Sequence, residues 1–376
     1  MNDYLSKVLS NIPGWCTKRK LIVFESDDWG TIRTCDLKAL ERLVEAGVDF
    51  NSYDAGRYSN NDALESSDDL SALFEVLSSY KDQYGQSAVF TTLSLVANPD
   101  FDRIKSNGFT DYIYEPFIET LRRYQECSGS FALWEEGIRN GIFIPQFHGR
   151  EHLNVFAWMN ALRGGHQETH KVFNEGMWGY INSFYGQGRI NYMEAFNFYR
   201  QEELDYLREV IRDGLNLFHL LFGYRASYFV APNGPFPNAL EKDLAANGIS
   251  YIGQSKVQHE PVGNGKTNKV LHYLGQQNAQ GQIYLTRNCI FEPSRREKTD
   301  WVGSCLKEIE IAFKFHKPAT ISTHRVNYIG RLNSSNRKSG LKQLRNLLIN
   351  IVKKWPDAEF ISSDKLGAII NESKRA

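Results

Sequence analysis

The chain has 376 residues, 41% of them hydrophobic, and its 44 lysine and arginine residues balance its 44 aspartate and glutamate residues. A chain of this length can form one large α/β domain or two smaller ones. The formal net charge of zero argues against nucleic acid or an anionic membrane surface as the main partner. The net charge says nothing about small neutral substrates such as sugars.

The N-terminal stretch and the cysteines bear on the cellular location. The first residues, MNDYLSKVLSNIPGWC, lack the charged start and apolar run of a signal peptide. No later stretch reaches the roughly 18 uninterrupted apolar residues of a transmembrane helix. We therefore predict a cytoplasmic protein without a transmembrane segment. Its five cysteines never occur as C-x-x-C, so we predict reduced structural thiols and no cysteine metal site.

The first predicted strand, Leu21 to Phe24, is an apolar β-branched run that continues into E-S-D-D-W-G. It delivers Asp27 and Asp28 to its C-terminal end, where ligands bind in α/β sheets and barrels. Two adjacent carboxylates at a buried strand end need a metal, another cation or a proton. The plainer alternative is that both aspartates cap the following turn.

The rest of the chain alternates predicted helices and strands, which implies a mainly parallel sheet with helical crossovers. The predicted helices cover residues 37–46, 68–80, 117–124, 131–139, 202–222, 238–246, 300–315, 341–355 and 366–370. The predicted strands cover residues 87–96, 141–147, 228–231, 249–252, 282–286, 319–323 and 359–362. Residues 254–270 are predicted to be a polar loop, and Asp68 or Asp69 is predicted to cap the helix that runs to about Tyr80.

Two further strands run directly into histidines, His148 and His324. His152 follows His148 by four residues in H-G-R-E-H, and on a helical turn such a pair shares one face and can reach one ion. Two imidazoles and one carboxylate leave coordination positions open, as a catalytic metal site requires. The alternative is a hydrogen-bonded structural pair. A second pair, His166 and His170, starts in polar sequence and is predicted to lie on the surface or a lid.

The ordered blocks S-D-D, H-x-x-x-H, F-V-A-P-N-G and S-T-H resemble the motifs of the polysaccharide deacetylase family, the NodB-homology domains of carbohydrate esterase family 4. The resemblance covers residues 20–330 as short blocks separated by long insertions. It implies an α/β fold, a distorted (β/α) barrel of the NodB type with fewer strands than a TIM barrel. It also implies one divalent metal ion, most often Zn²⁺, with Co²⁺, Ni²⁺ and Mn²⁺ as alternatives.

The resemblance assigns a role to each matching position. It implies that Asp27 is the catalytic base and that His324 is the catalytic acid. It also implies three metal ligands, Asp28, His148 and His152, and a backbone N–H at Asn233 that helps to stabilise the oxyanion. We also predict that Trp29 contacts substrate, because it adjoins the two carboxylates.

The chain departs from the family pattern at several places, among them Ser26 at the position of the threonine in the first motif and a longer spacing between the first two motifs. The arginine that pairs with the base in the family falls at Val230, and Arg225, Arg150 or Arg325 are the candidates to replace it. The family's D-x-x-D-W motif has its nearest echo in Asp300-Trp301, which lies further downstream than expected.

Residues 163–200 are rich in glycine, asparagine and aromatic residues and show neither helical nor strand periodicity. Because long irregular segments in compact domains are usually functional, we predict an aromatic-rich insertion or lid within one catalytic domain spanning 1–376. Its rings would stack on sugar, with Trp178 the first candidate; the alternative is that most are core of an inserted subdomain. The rings include Phe173, Trp178, Tyr180, Phe184, Tyr185, Tyr192 and Tyr199.

The predicted function is a metal-dependent deacetylase that removes the N-acetyl (or O-acetyl) group of a saccharide, such as a precursor of a surface glycan. One alternative is a metal-dependent hydrolase of an amide or ester that is not on a sugar. A second alternative is a glycan-binding member that has lost turnover, and the valine at position 230 favours that interpretation.

Overall fold

The computed structural model describes residues 3–51, 54–180, 191–295 and 299–375. The helices are α1 (Asp3–Ser10), α2 (Leu37–Glu45), α3 (Ala55–Asn61), α4 (Ser67–Ser78), α5 (Phe101–Ser106), α6 (Phe117–Arg123), α7 (Ser130–Arg139), α8 (Val155–Arg163), α9 (Gln167–Asn174), α10 (Glu203–Phe222), α11 (Glu241–Ala246), α12 (Trp301–Lys314), α13 (Ser334–Lys354) and α14 (Ser363–Arg375). The strands are β1 (Lys20–Trp29), β2 (Phe90–Leu95), β3 (Ala97–Pro99), β4 (Tyr114–Pro116), β5 (Phe143–Gly149), β6 (Tyr228–Val230), β7 (Tyr251–Gly253), β8 (Val257–Gly263), β9 (Lys266–Leu271), β10 (Ile283–Leu285), β11 (Cys289–Ile290), β12 (Ala319–His324) and β13 (Ala358–Phe360).

Nine of the described strands form one sheet in which all neighbours run parallel. Its order is β10-β7-β6-β5-β2-β1-β12-β11, and β13 pairs with the first residues of β1. The two edge strands, β10 and β11, are joined by residues 286–288 alone, a connection that spans at most about 15 Å. The sheet therefore curls until its edges approach, which makes the fold a distorted (β/α) barrel and confirms the predicted fold class.

Side chains of β1 alternate between the barrel interior and the helices outside it. Leu21 and Val23 join an apolar cluster built from five barrel strands together with α14, whereas Ile22 and Phe24 pack in the larger core that includes α4, α12 and α13. By the same alternation Glu25 continues the inward-facing row towards the carboxyl end of the strand. The apolar cluster closes the lower barrel and leaves the carboxyl end as the place for polar chemistry.

Most predicted helices and strands are confirmed to within a few residues, but three predictions were wrong. Residues 254–270 hold the antiparallel hairpin β8–β9 where a polar loop was predicted. Helix α9 lies inside the stretch 163–200, for which no regular structure was predicted. Helix α4 is capped by Ser66, and Asp69 completes the capping box by accepting from the Ser66 backbone.

Two predictions about the whole chain can be compared with the structure. Among the described residues, no helix has the length and apolar character needed to cross a bilayer. The five cysteines are free thiols, as predicted, and Cys127, Cys289 and Cys305 are buried.

Candidate metal centre

Asp27 and Asp28 both line one cavity, although neighbouring residues of a strand normally face opposite sides of the sheet. The pairing of β1 with β2 slips between Ser26 and Trp29, and Asp28 has φ of 76°, in the left-handed region. A bulge with a left-handed residue redirects a side chain, so both carboxylates reach the carboxyl end of the barrel. The strain of that backbone is concentrated at the candidate site.

The two histidines of H-G-R-E-H reach the same point from a strand and the loop after it, not from a helical turn as predicted. His148 belongs to β5, whose pairing with β2 shifts between Ser94 and Leu95, while His152 lies in the irregular segment that follows. Both rings are buried. The second pair is structural: His166 caps α9, and His170 Nε2 hydrogen-bonds to the Leu162 carbonyl.

Asp28, His148 and His152 bring one ligand atom each to within 4.8 Å of one another. Asp28 Oδ1 lies 3.2 Å from His152 Nε2 and 3.6 Å from His148 Nε2. His148 donates its Nδ1 proton to the Val230 carbonyl at 2.7 Å, so in the neutral ring Nε2 carries a lone pair aimed at the carboxylate. Lone pairs converging on one point are stable only around a cation. The donor set therefore fits a divalent metal ion.

Burial and the charge of Arg33 set the protonation states of His152 and Asp28. Burial, followed by the charge of Arg33, lowers the pKa of His152 to about 4, so this ring is neutral at neutral pH. Burial would raise the pKa of Asp28, but the Arg33 guanidinium and His152 hold it well below its usual range. A neutral imidazole and an ionised carboxylate are the forms in which these side chains ligate metals.

Asp27 is held by Arg287, which lies in the short segment that joins the two edges of the barrel. Arg287 donates to both Asp27 oxygens at 2.6 and 2.8 Å and to Glu25 Oε2 at 2.6 Å. Burial would lower the pKa of Arg287, but Asp27 and Glu25 raise it well above its usual value. This bidentate pair with the Arg287 guanidinium fixes the Asp27 carboxylate beside the candidate metal ligands. No Arg287 contact was anticipated from the sequence.

His324 ends β12, and its backbone is in register with Asp27 on the neighbouring strand. Its Nδ1 lies 2.5 Å from Glu292 Oε1, and its Nε2 lies 3.8 Å from Asp27 Oδ2. Burial would lower the pKa of His324, but the Glu292 carboxylate outweighs burial and raises it to about 9. Glu292 is itself held by Arg57 at 2.7 Å and by Asn327 at 3.0 Å. At neutral pH His324 is therefore a protonated acid with its second nitrogen towards the cavity.

The cavity at the carboxyl end of the barrel measures about 770 Å³, within the range of small-molecule sites. Asn233 lies on its wall, in the turn after β6, with φ of 57°. Tyr58 is the one tyrosine, tryptophan or phenylalanine among the described lining residues, and the guanidinium groups of Arg33 and Arg57 lie 4.6 and 4.4 Å from its ring centre. The described wall thus offers polar groups and metal-type ligands more than aromatic faces.

Three residues predicted to contact substrate or support the base do not line the cavity. Trp29 packs edge-on against Trp134 and Phe143 in the core, because the bulge that redirects Asp28 also turns it away. Trp178 is buried behind His152, with ring centres 6.0 Å apart, and donates to the Ile32 carbonyl. Arg225 is exposed and precedes β6, whereas the site is built at the opposite, carboxyl end of that strand.

The other candidates for the missing arginine also have different partners. Arg150 pairs with Glu151, and Arg325 pairs with Asp62 and Glu65 in a fully buried ion-pair network. Asp300 caps α12 by accepting from the Gly303 backbone, and Trp301 is buried in the core. Asp300-Trp301 is therefore a helix start and not part of the site.

The aromatic-rich stretch 163–200 contributes mainly to the core. Its buried rings fall in two apolar clusters: Phe173, Trp178, Tyr180 and Tyr192 belong to one, and Phe196 and Phe198 belong to the other. Tyr199 is exposed and does not line the cavity, while Phe184 and Tyr185 lie outside the described residues. The stretch reaches the cavity through Asn191 and Met193, which line its wall. The interpretation that most of these rings are core is the one that fits the described residues.

Sequence reasoning missed the charged partners of the site. Arg287 and Glu292 flank the short apolar run that contains β11, and this placement of charges on both sides of an apolar run is the one local signal they leave. Arg33 follows the S-D-D-W-G block by three residues and contacts Asp28 at 3.2 Å. Arg287 and Asp27 are 260 positions apart in the chain, and their contact can be recognised only once the barrel has closed.

No sequence-family model and no curated protein matches the chain. Solved structures do match it over nearly its whole length. A Mycobacterium smegmatis protein assigned to the polysaccharide deacetylases covers 96% of this chain and 94% of its own, with 11% identity and a TM-score of 0.44. The Puue allantoinase covers 95% and 93%, with 11% identity and a TM-score of 0.48.

A third match is the peptidoglycan deacetylase PdaC from Bacillus subtilis, which covers 95% of this chain and 94% of its own, with 10% identity and a TM-score of 0.33. At 10–11% identity, these three matches are likenesses of fold alone.

Proposed function

We propose that the protein is a metal-dependent hydrolase that removes the N-acetyl group of a saccharide. The observation that carries the proposal is the convergence, in one cavity, of a buried ligand set, a carboxylate clamped by arginine and a protonated histidine. These are the parts that hydrolysis of an amide requires: a Lewis acid, a general base and a general acid.

The metal would be held by Asp28, His148 and His152, and a Zn²⁺ ion is the first candidate for this N₂O donor set. When bound, such an ion lowers the pKa of a water molecule and polarises an acyl carbonyl. Three protein ligands leave room for water and substrate, in contrast to a closed structural site. Co²⁺, Ni²⁺ and Mn²⁺ are alternative occupants.

Asp27 is the proposed general base. Arg287 holds both of its oxygens, which fixes the orientation of the carboxylate beside Asp28. Glu25 shares the same guanidinium from inside the barrel, so the arginine cannot neutralise Asp27 alone. Arg287 thus takes the part of the arginine that is absent at Val230, and it does so from the segment between β10 and β11.

His324 is the proposed general acid, because its Nδ1 is held by Glu292 and its Nε2 faces Asp27 and the cavity. A pKa of about 9 keeps it protonated at neutral pH, ready to give a proton to the leaving amine. The backbone N–H of Asn233, on the opposite wall segment after β6, is the proposed donor to the developing oxyanion.

The proposal also names the class of substrate, a saccharide. A cavity of about 770 Å³ lined by aspartates, histidines and asparagines suits a polar acetylated ligand. A hydrolase of a non-sugar amide or ester would use the same five side chains, and only the substrate separates the two. The cytoplasmic location and the lack of a nucleic-acid partner stay predictions of the sequence.

The proposal is tested by measuring acetate release from N-acetylglucosamine oligomers with Zn²⁺-loaded protein. Removal of metal with a chelator is expected to lower the rate by at least about 100-fold, because the Lewis acid supplies several kcal/mol of transition-state stabilisation, and Zn²⁺ or Co²⁺ should restore it. Acetylated non-sugar amines serve as comparison substrates. Oligomer binding without acetate release would favour the glycan-binding alternative.

The role of Glu292 gives a second test, based on pH dependence. His324 must be protonated, so activity should be lost as pH rises through its pKa of about 9. Glu292→Gln removes the charge that raises this pKa, and we expect the alkaline limit of kcat to fall by about one to three pH units. The exposed Glu310, paired with Lys354, supplies the matched control Glu310→Gln. An unchanged alkaline limit in Glu292→Gln would contradict the acid role of His324.

A further inference from the structure

Arg33 is a buried cation in direct contact with the ligand set, which is unusual at a site that binds a cation. Its Nη2 donates to Asp28 Oδ2 at 3.2 Å and lies 3.3 Å from His152 Nε2. Two of the three candidate metal ligands therefore share one guanidinium nitrogen. The Arg33 side chain is 8% exposed, so water screens its charge little.

On its other side Arg33 has a second acidic partner that it engages only loosely. Arg33 Nε lies 3.4 Å from Asp62 Oδ2, and both atoms are buried without a hydrogen bond of good geometry among the described residues. Asp62 is anchored through its Oδ1 by Arg325 at 2.9 Å, so it is a fixed partner. A shift of a fraction of an ångström would turn this long ion pair into a hydrogen bond.

We propose that Arg33 is an internal counter-cation for the metal centre, which neutralises Asp28 in the metal-free protein and moves towards Asp62 when metal binds. This inference rests on the ligand set of the proposed function and adds a regulation of it: Arg33 weakens metal binding and makes the ion exchangeable. Arg33 stabilises the metal-free form and repels the ion in the metal-bound form, and both effects raise the Kd for the metal.

A purely positioning role for Arg33 predicts the opposite sign. If the guanidinium only oriented Asp28, its loss would loosen the ligand and weaken metal binding by about 10- to 100-fold, as loss of outer partners does. Arg33→Gln separates the two roles, because glutamine keeps an amide donor and removes the charge. Arg33→Lys is its counterpart, because lysine keeps the charge and removes the planar fork.

The experiment measures the Kd of Co²⁺ and of Zn²⁺ for the full chain by competition with a chelator, following the Co²⁺ absorption spectrum. We expect Arg33→Gln to bind at least about tenfold more tightly than wild type, and Arg33→Lys to stay within about threefold of it. The rise in Tm on adding metal should also be larger in Arg33→Gln. Arg345→Gln, at an exposed arginine paired with Glu75, should leave the Kd unchanged.

Each outcome has a definite meaning. Equal or weaker metal binding by Arg33→Gln, in a wild-type protein that binds one ion, overturns the counter-cation role and leaves the proposed function standing. A wild-type protein that binds no ion overturns both. If Arg33→Gln folds only with metal present, that dependence supports the inference, and Arg33→Met, which also removes the charge, must then show the same tighter binding.

Discussion

Asp28→Ala is expected to lose the metal and, with it, activity by about three orders of magnitude. Asp28 is the one carboxylate of the ligand set, and its Oδ1 is the atom that lies within 3.6 Å of both imidazoles. Removal of the carboxylate leaves two imidazoles and the guanidinium of Arg33, whose charge repels a cation. The lost Lewis acid is worth several kcal/mol of barrier, and each 1.4 kcal/mol is about tenfold in rate.

The measurement is metal stoichiometry by elemental analysis after gel filtration, together with kcat for acetate release. Asp28→Asn is the matched variant, since it keeps the shape of the side chain and removes its charge, and it should retain little more metal than the alanine. Asp213→Asn, on a half-buried carboxylate that accepts hydrogen bonds from Arg150 and Tyr114 away from the cavity, is the control. Stoichiometric metal in Asp28→Ala would exclude this residue from the ligand set.

The sequence predicted the parts of the site that are local. The apolar runs that end in Asp27-Asp28, His148 or His324 can be identified as strands from the local sequence. Parallel strands bring their carboxyl ends to one face of the barrel. The order of these blocks was enough to anticipate which side chains meet. Asp28, His148 and His152 lie within 4.8 Å of one another, and Asp27 and His324, the proposed base and acid, lie 3.8 Å apart.

The sequence could not predict which way individual side chains point, or which residues distant in the chain would pair with them. Trp29 adjoins the carboxylates, yet the bulge in β1 turns it into the core, because a shift of one residue reverses the face of every side chain that follows. Arg287 meets Asp27 only because the barrel closes through residues 286–288. The hairpin β8–β9 was missed because Lys266–Leu271 is almost wholly exposed and lacks apolar alternation.

Asp27→Asn is expected to keep the metal and lose turnover, with kcat falling by about 10²- to 10⁴-fold, the usual contribution of a general base. The asparagine still fills the space beside Arg287 but cannot take a proton. KM should change little, because Asp27 is proposed to act on the reacting water and not on the sugar. Metal content, kcat and KM measured on the same preparation test the assignment, and an unchanged kcat would refute it.

Glu25→Gln is the comparison that separates catalysis from the support of Arg287. Glu25 is fully buried, accepts from Tyr228 and Ser363 as well as from Arg287, and does not line the cavity. Breaking a buried ion pair costs about 3–5 kcal/mol, so this variant should lose more free energy of unfolding than Asp27→Asn. Because Asp27 keeps both hydrogen bonds from Arg287, turnover at a temperature where Glu25→Gln is folded should fall far less. Of the two carboxylates that share the Arg287 guanidinium, Glu25 would then contribute mainly to stability, whereas Asp27 would act on the reacting water.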